Sequence, residues 1–148
     1  DLFLETDQMI STCKEYFSKD SKITICVHVR RGDYLKSPNH HPVANELYYV
    51  EAISKLEPFD VALIFSDDVA WCKDAFTDPR FVFPEEKDYI EIYLMSKCDK
   101  HIVANSSFSW WGAWLSNRSQ VIAPKRHFGE ALNNTKDSDI YPESWNRI

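Results

Sequence analysis

Short apolar segments alternate with longer amphipathic segments along most of this sequence of 148 residues. In residues 22–29, β-branched side chains occupy alternate positions, which predicts a first strand. Apolar runs predict four more strands, at residues 60–65, 80–83, 101–104 and 120–123. Apolar residues at helical spacing predict helices around and between them, at residues 2–17, 45–56, 67 or 68 to 76, 88–98 and 107–116.

Strands that alternate with helices at this spacing are typical of βαβ units. We therefore predict an α/β fold, with a doubly wound parallel sheet of the Rossmann-like kind. The length predicts a single domain over residues 1–148, of which residues 1–21 carry a leading helix. Asp88 and Glu91 have the spacing of a capping pair at the start of their helix.

The helix predicted at residues 107–116 has aromatic side chains in several directions around its axis, which predicts that it is buried. We expect the tryptophans of this helix to lie in the core rather than to form a sugar-binding platform, and we also expect the tryptophan of the helix from residue 67 or 68 to 76 to lie in the core. They are Trp71, Trp110, Trp111 and Trp114.

The composition excludes some functions. Hydrophobic residues make up 44% of the chain, charged residues make up 27%, and the formal net charge is -6. Such an acidic chain is not expected to bind nucleic acid or an anionic membrane as its main activity. No apolar run approaches the ~20 residues of a membrane span. The cysteines are spread out with no C-x-x-C pair, so we expect free thiols and a reducing compartment. They are Cys13, Cys26, Cys72 and Cys98.

Polar side chains follow three of the predicted strands at their carboxyl ends, where open parallel sheets bind their ligands. The agreement of three separate strand ends predicts a site for a nucleotide diphosphate. The residues concerned are His28, Arg30, Arg31 and Asp33 after the first strand, Ser66, Asp67 and Asp68 after the second, and Asn105, Ser106 and Ser107 before the aromatic helix.

The Arg30–Arg31 pair suits a pyrophosphate, because each guanidinium presents a planar fork of donors to phosphate oxygens. An isolated arginine pair is otherwise a surface ion pair, here with Asp33. We expect one arginine to hold phosphate and the other to brace the loop, through Asp33 or through a neighbouring domain.

Small polar residues at positions 105–107 come directly before a helix, whose free N–H groups attract an anion. Ser107 has an equally good interpretation as the helix cap. Asp67 and Asp68 suit the base or ribose of a nucleotide or a divalent metal, and either also suits a helix cap. A lone strand histidine such as His28 is more often a core residue than a ligand. These few ligands do not predict a required metal.

Three stretches together resemble the alpha-1,2-fucosyltransferases of glycosyltransferase family 11, particularly the bacterial-type members. They are residues 28–34 (HVRRGDY), residues 65–68 (FSDD) followed by WC at 71–72, and residues 105–115 (NSSFSWWGAWL). The first stretch is shared with other fucosyltransferases, and the third is much more specific. The resemblance runs from about residue 22 to the end.

The resemblance implies the C-terminal, donor-binding half of a GT-B fold, and an N-terminal acceptor half that this sequence does not contain. It implies inverting transfer of L-fucose from GDP-fucose to a galactose hydroxyl of a glycan, without a metal. His28 and Asp67 or Asp68 would contact guanine and ribose, and Arg30 or Arg31 would hold the pyrophosphate together with Ser106 or Ser107. Asp33 is a candidate general base, although bracing the arginines suits it better.

Two other classes of function are compatible with the residues. The first is a GDP-sugar-binding module without catalysis, and the second is a metal-dependent phosphohydrolase that uses Asp67, Asp68 and the histidines. For a bacterial-type transferase we expect the cytoplasm, with peripheral contact at the membrane face, and for a eukaryotic one the Golgi lumen.

Overall fold

The computed structural model describes residues 4–17 and 22–148, and its centre is a six-stranded parallel sheet. The strand order is β3-β2-β1-β4-β5-β6, so the chain reverses direction across the sheet between β1 and β4. This is the Rossmann order, in which the reversal opens a crevice at the carboxyl ends of two neighbouring strands. The strands are β1 (Thr24–Val29), β2 (Val61–Ser66), β3 (Phe81–Val82), β4 (Lys100–Ile102), β5 (Val121–Ala123) and β6 (Asn146–Arg147).

Five α-helices connect or flank these strands in the described part of the chain. They are α1 (Asp7–Tyr16), α2 (Glu46–Leu56), α3 (Val69–Ala75), α4 (Asp88–Lys97) and α5 (Ser107–Ser116). Short 3-10 turns lie at Asp33–Lys36 and Glu130–Leu132. Asparagine and aspartate cap two of the helices, because Asn45 accepts from the N–H of Tyr48 and Asp68 accepts from that of Trp71.

The alternation of side chains along β1 divides the core between the two faces of the sheet. Ile25, Val27 and Val29 pack with α2 and α3 on one face. Cys26 lies in the cluster that contains residues of α1 and α4 on the other face. All six residues of β1 are buried, as expected of a central parallel strand. Helix α5 packs against α4, and a side chain at Gly112 would collide with Met95.

The sequence predicted this architecture correctly, and the doubly wound parallel sheet is confirmed. Helix α1 begins at Asp7 instead of Leu2, and the earlier and later parts of the leading segment, residues 1–3 and 18–21, lie outside the described residues. The last strand, β6, was not predicted. It follows a turn that Tyr141 and Trp145 anchor in the core.

Two predictions about helices are wrong. Lys87 is the N-cap of α4 and Asp88 is its first residue, so the helix has no side-chain capping bond, and Glu91 accepts from the N–H of Glu86. Helix α5 is not buried all round, since Trp111 is 49% exposed and Trp114 is 51% exposed. Periodicity cannot reveal this, because it does not say which faces of a helix find a neighbour.

The four cysteines are free thiols, as predicted. Within residues 4–17 and 22–148, no helix combines the length and the apolar character that a membrane crossing requires.

Candidate functional site

The crevice between β1 and β4 collects most of the polar residues singled out from the sequence. Arg30 and Arg31 follow β1 directly, and Asn105 and Ser106 lie between β4 and the first residue of α5. β2, which pairs with β1 on its other side, ends at Ser66. Parallel strands bring these ends to one edge of the sheet, so three distant sequence segments form one site.

Arg30 follows β1 directly, and its guanidinium carbon lies 5.3 Å from the centre of the Tyr34 ring. Its Nη2 lies 2.7 Å from Asp33 Oδ1, and its Nε lies 3.5 Å from Asp67 Oδ2. That Nε is buried and makes no hydrogen bond to any described residue. The side chain stays one-third exposed, at 33%. Arg30 therefore keeps donors for a ligand while two carboxylates hold its position.

Arg31 lies towards α3 and is held more completely. Its guanidinium sits 3.9 Å above the ring of Trp71, and its Nε donates to Asp68 Oδ2 over 3.3 Å. Its backbone N–H donates to Asp67 Oδ1 over 2.9 Å. With only 17% of its side chain exposed, Arg31 fits the bracing role expected of one arginine. The bracing runs through Asp68 and Trp71, and Asp33 pairs with Arg30 instead.

Asp67 and Asp68, at the end of β2, make different contacts. Asp67 contacts both arginines, and a side chain at Gly32 would displace its carboxylate from this position. Asp68 Oδ1 caps α3 by accepting from the N–H of Trp71 over 3.2 Å. The capping interpretation is therefore correct for Asp68, which also holds Arg31.

Asn105 is buried at the end of β4 and joins three loops. Its side-chain nitrogen donates to the carbonyls of Pro42 and His127 over 3.0 and 3.1 Å. Its backbone carbonyl accepts from the hydroxyl of Tyr34 over 2.8 Å. The side-chain nitrogen of Asn105 is therefore already bonded within the protein, and Asn105 holds together the loops that border the crevice.

The start of α5 has free hydrogen-bonding groups. The N-cap is Ser106, not Ser107, and no side-chain hydrogen bond caps the helix. Ser107 is exposed, whereas the buried Ser109 hydroxyl accepts from the N–H of Ala104 over 3.2 Å. The capping interpretation of Ser107 is therefore wrong, and the first turn of α5 presents uncapped N–H groups to an anion.

His28 is buried beside this helix, with its ring 5.7 Å from that of Phe108. Burial, together with the charge of Arg30, lowers the pKa of His28 to about 3. The imidazole is therefore neutral near pH 7, and its Nδ1 makes no hydrogen bond to a described residue. It belongs to the core, as expected of a strand histidine, although its polar atom is not satisfied.

The family model of glycosyl transferase family 11 matches residues 2–148, nearly the whole chain. The chain belongs to this family. An alpha-1,2-colitosyltransferase of Escherichia coli is 40% identical over 141 residues, which cover 84% of this chain and 47% of that protein. The O-antigen biosynthesis glycosyltransferase WbnK of Escherichia coli is 35% identical, covering 97% of this chain and 52% of its own length.

A galactoside 2-alpha-L-fucosyltransferase of Caenorhabditis elegans is more distant, at 26% identity over 83% of this chain. The chain spans about half the length of the two Escherichia coli relatives, 47% and 52%. The parallel α/β sheet of this chain is consistent with a GT-B type glycosyltransferase.

Two cavities border the site of this family 11 chain, one at Asp67 and Asp68 and the other at Asn105. On the β2 side, a cavity of about 570 Å³ is strongly acidic. We call it the acidic cavity, and its ionisable lining consists of Asp67, Asp68, Glu85, Glu86, Asp88 and Glu91. Burial, with the charges of Asp88 and Glu86 nearby, raises the pKa of Glu91 to about 7. On the β4 side lies a cleft of about 560 Å³ that reaches Asn105.

Sequence reasoning missed three residues of this region. Tyr34 lies within the arginine motif, yet its bond to Asn105 joins positions 71 residues apart. Trp71 was assigned to the core, and it does pack there, but it also supports Arg31. Glu91 was considered only as a capping residue. Among the described residues, no group of three or more histidines, cysteines or carboxylates is placed to hold a metal ion.

Proposed function

We propose that the protein carrying this chain is a galactoside alpha-1,2-fucosyltransferase, which transfers L-fucose from GDP-fucose to a galactose hydroxyl of a glycan. The transfer inverts the anomeric centre and requires no metal. The observation that carries the proposal is the crevice itself, where Arg30 follows β1 directly and α5 begins after β4 without a side-chain cap. A diphosphate at this point meets a guanidinium and helix N–H groups together.

Arg30 is the catalytic arginine in this proposal, and Arg31 positions it. As the bond between C1 of fucose and the phosphate oxygen breaks, negative charge grows on the departing GDP. A fixed guanidinium and helix N–H groups stabilise this charge where water is excluded. Arg31 cannot turn to the phosphate without leaving Trp71 and Asp68, so its contribution is to hold the loop.

Guanosine suits the acidic cavity next to Arg30. The Watson–Crick edge of guanine carries the N1–H and N2 amino donors, which carboxylates accept well, and the ribose hydroxyls are donors too. Asp67 and Asp68 line this cavity and contact the arginines, and His28 is a neutral, buried group of β1. Ser106 and Ser107 complete the phosphate site through the start of α5.

Asp33 has a positioning role rather than that of the general base. Its carboxylate lies 2.7 Å from Arg30 Nη2, where it orients the guanidinium. A base must instead reach the hydroxyl of the acceptor. We propose that this base lies in the part of the protein that the relatives have in addition to the region matched here.

A second candidate is transfer of a colitosyl residue. The relative with 40% identity carries that activity in its name, and it covers 84% of this chain. The proposed diphosphate and guanosine contacts are the same for both reactions. Only the transferred sugar distinguishes them, so a transfer assay with GDP-fucose and GDP-colitose decides between them.

Calorimetric titration with GDP, GDP-fucose and UDP-galactose, each with and without a chelator, tests the proposal. We expect binding of the two guanine nucleotides that does not depend on the chelator, and no binding of UDP-galactose. Transfer to lactose by the complete protein distinguishes an enzyme from a binding module. Chelator-sensitive binding would instead favour the phosphohydrolase, and a folded protein that binds no nucleotide would contradict the proposed function.

A further inference from the structure

The cleft on the β4 side is a second cavity of ligand size, and it reaches the candidate site at Asn105. Its volume of about 560 Å³ falls in the range of roughly 300–1,000 Å³ that is usual for small-molecule sites. Its floor is formed at the carboxyl ends of three strands, by Asn105 after β4, Pro124 after β5 and Ile148 after β6. None of the residues assigned to the donor lines it except Asn105.

The walls of this cleft are two loops, residues 38–45 and residues 124–130, which the protein fastens together. Gly129 N–H donates to the carbonyl of His40 over 2.8 Å, and Asn39 accepts from the N–H of Ala131 over 2.9 Å. A side chain at Gly129 would strike the backbone of Asn39, so glycine permits this contact. The side-chain nitrogen of Asn105 donates to one backbone carbonyl in each loop. The cleft is therefore formed before a ligand arrives.

Polar groups on these walls are left without a partner. The side chains of Asn39, Lys125 and Glu130 form no hydrogen bond or ion pair with any described residue. Asn45 uses only its side-chain oxygen, to cap α2. Phe128 and the prolines supply apolar surface between them. The lining carries amides, an aromatic ring and charges of both signs, with Lys125 and Arg126 positive and Glu130 negative. These hydrogen-bonding groups suit a ligand with many hydroxyls.

We propose that this cleft is a saccharide subsite of the transferase, which binds a sugar ring through Asn39, Asn45 and Glu130 against Phe128. This inference rests on the proposed function. With guanosine in the acidic cavity and the diphosphate at Arg30, the reacting sugars lie on the side opposite the nucleoside. That side is the β4 side, where the cleft opens beside Asn105. Either the acceptor galactose or the donor fucose has the required chemistry.

Asn39→Ala and Glu130→Gln test the subsite in the complete protein. Both side chains are exposed and unpaired within the described chain, so folding is not at risk. Asn134→Ala is the matched control, because it removes an exposed amide outside the cleft. We expect each cleft variant to raise the KM for lactose about fivefold, as for loss of one hydrogen bond, while the affinity for GDP stays unchanged.

The outcomes separate the two sources of the sugar and the two proposals. A raised KM for lactose assigns the cleft to the acceptor, and a raised KM for GDP-fucose with unchanged GDP affinity assigns it to the donor sugar. Weaker GDP binding in both variants, or no change in any constant, would overturn the subsite while leaving the transferase intact. If the parent protein transfers no sugar, the proposed function fails. Lactose and fucose binding followed by NMR, at the side-chain amides of Asn39 and Asn45, then decides the subsite alone.

Discussion

The two sides of the crevice differ in how their polar groups are paired. On the β2 side, the carboxylates of Asp67 and Asp68 are bonded to arginines or to a helix N–H group. On the β4 side, the first turn of α5 lacks a side-chain cap, and Ser107 is exposed. The β2 side therefore fixes the arginines in place, and the β4 side keeps its donors free for a ligand.

Among the changes that test this comparison, replacing Arg30 by alanine has the largest expected effect. Loss of a fixed donor to a developing charge lowers the transfer rate ~100-fold or more. Arg31→Ala is the matched variant. It loses the contact with Trp71 and the pair with Asp68, which costs about 1 kcal/mol of stability, because one face of this guanidinium is already desolvated.

Transfer assays and thermal melting of both variants check this division of roles. We expect Arg30→Ala to melt near the parent temperature and to bind GDP more weakly. Arg31→Ala should melt lower and retain more of the transfer rate than Arg30→Ala. The reverse order of the two rates would contradict the assignment of Arg30 to the phosphate.

Asn105→Ala tests whether the β4 side depends on one buried amide. The change leaves the carbonyls of Pro42 and His127 without their donor. An unsatisfied buried acceptor costs about 1–3 kcal/mol, so we expect a loss near 2 kcal/mol in the free energy of unfolding. Urea denaturation measures it. A variant as stable as the parent would mean that water replaces the amide and that the loops do not depend on it.

Much of the fold and part of the site could be predicted from the sequence, because both follow from local patterns. Alternation of β-branched residues marks β1, and the position of Arg30 just after it marks the site. The different directions of Arg30 and Arg31 could not be predicted, since they depend on which helix covers each face of the sheet. The cleft was also missed, because it joins loops that are far apart in sequence, such as those at His40 and Gly129, which are 129 − 40 = 89 residues apart.

Glu91→Gln tests how much the crowded carboxylates of the acidic cavity destabilise the folded protein. Its pKa is raised from 4.5 to about 7, so the folded state binds this proton more tightly than the unfolded state. The contribution of Glu91 to stability is therefore largest below about pH 4.5 and is lost as the pH rises to about 7. Allowing for solvent screening at this partly exposed carboxyl, we expect a decline of ~1 kcal/mol.

Thermal melting from pH 4 to pH 8 checks this effect. The glutamine variant should lose that part of the decline and should be more stable than the parent at pH 8. Asp74→Asn is a control, because it removes a carboxylate of α3 that does not line the cavity. Equal pH profiles for Glu91→Gln and the parent would mean that Glu91 is well solvated.

Ser107→Ala has the smallest expected effect and tests the claim that the β4 side keeps its donors for a ligand. The hydroxyl is exposed and caps nothing, so its loss changes the free energy of unfolding by less than about 0.5 kcal/mol. In the proposed function it bonds the diphosphate, so the affinity for GDP falls about threefold. Ser109→Ala is the matched control, because that buried hydroxyl holds the N–H of Ala104 and its loss costs ~1 kcal/mol of stability. A Ser107→Ala variant that is destabilised but binds GDP normally would make Ser107 a structural residue, and the free donors at α5 would then be its backbone N–H groups alone.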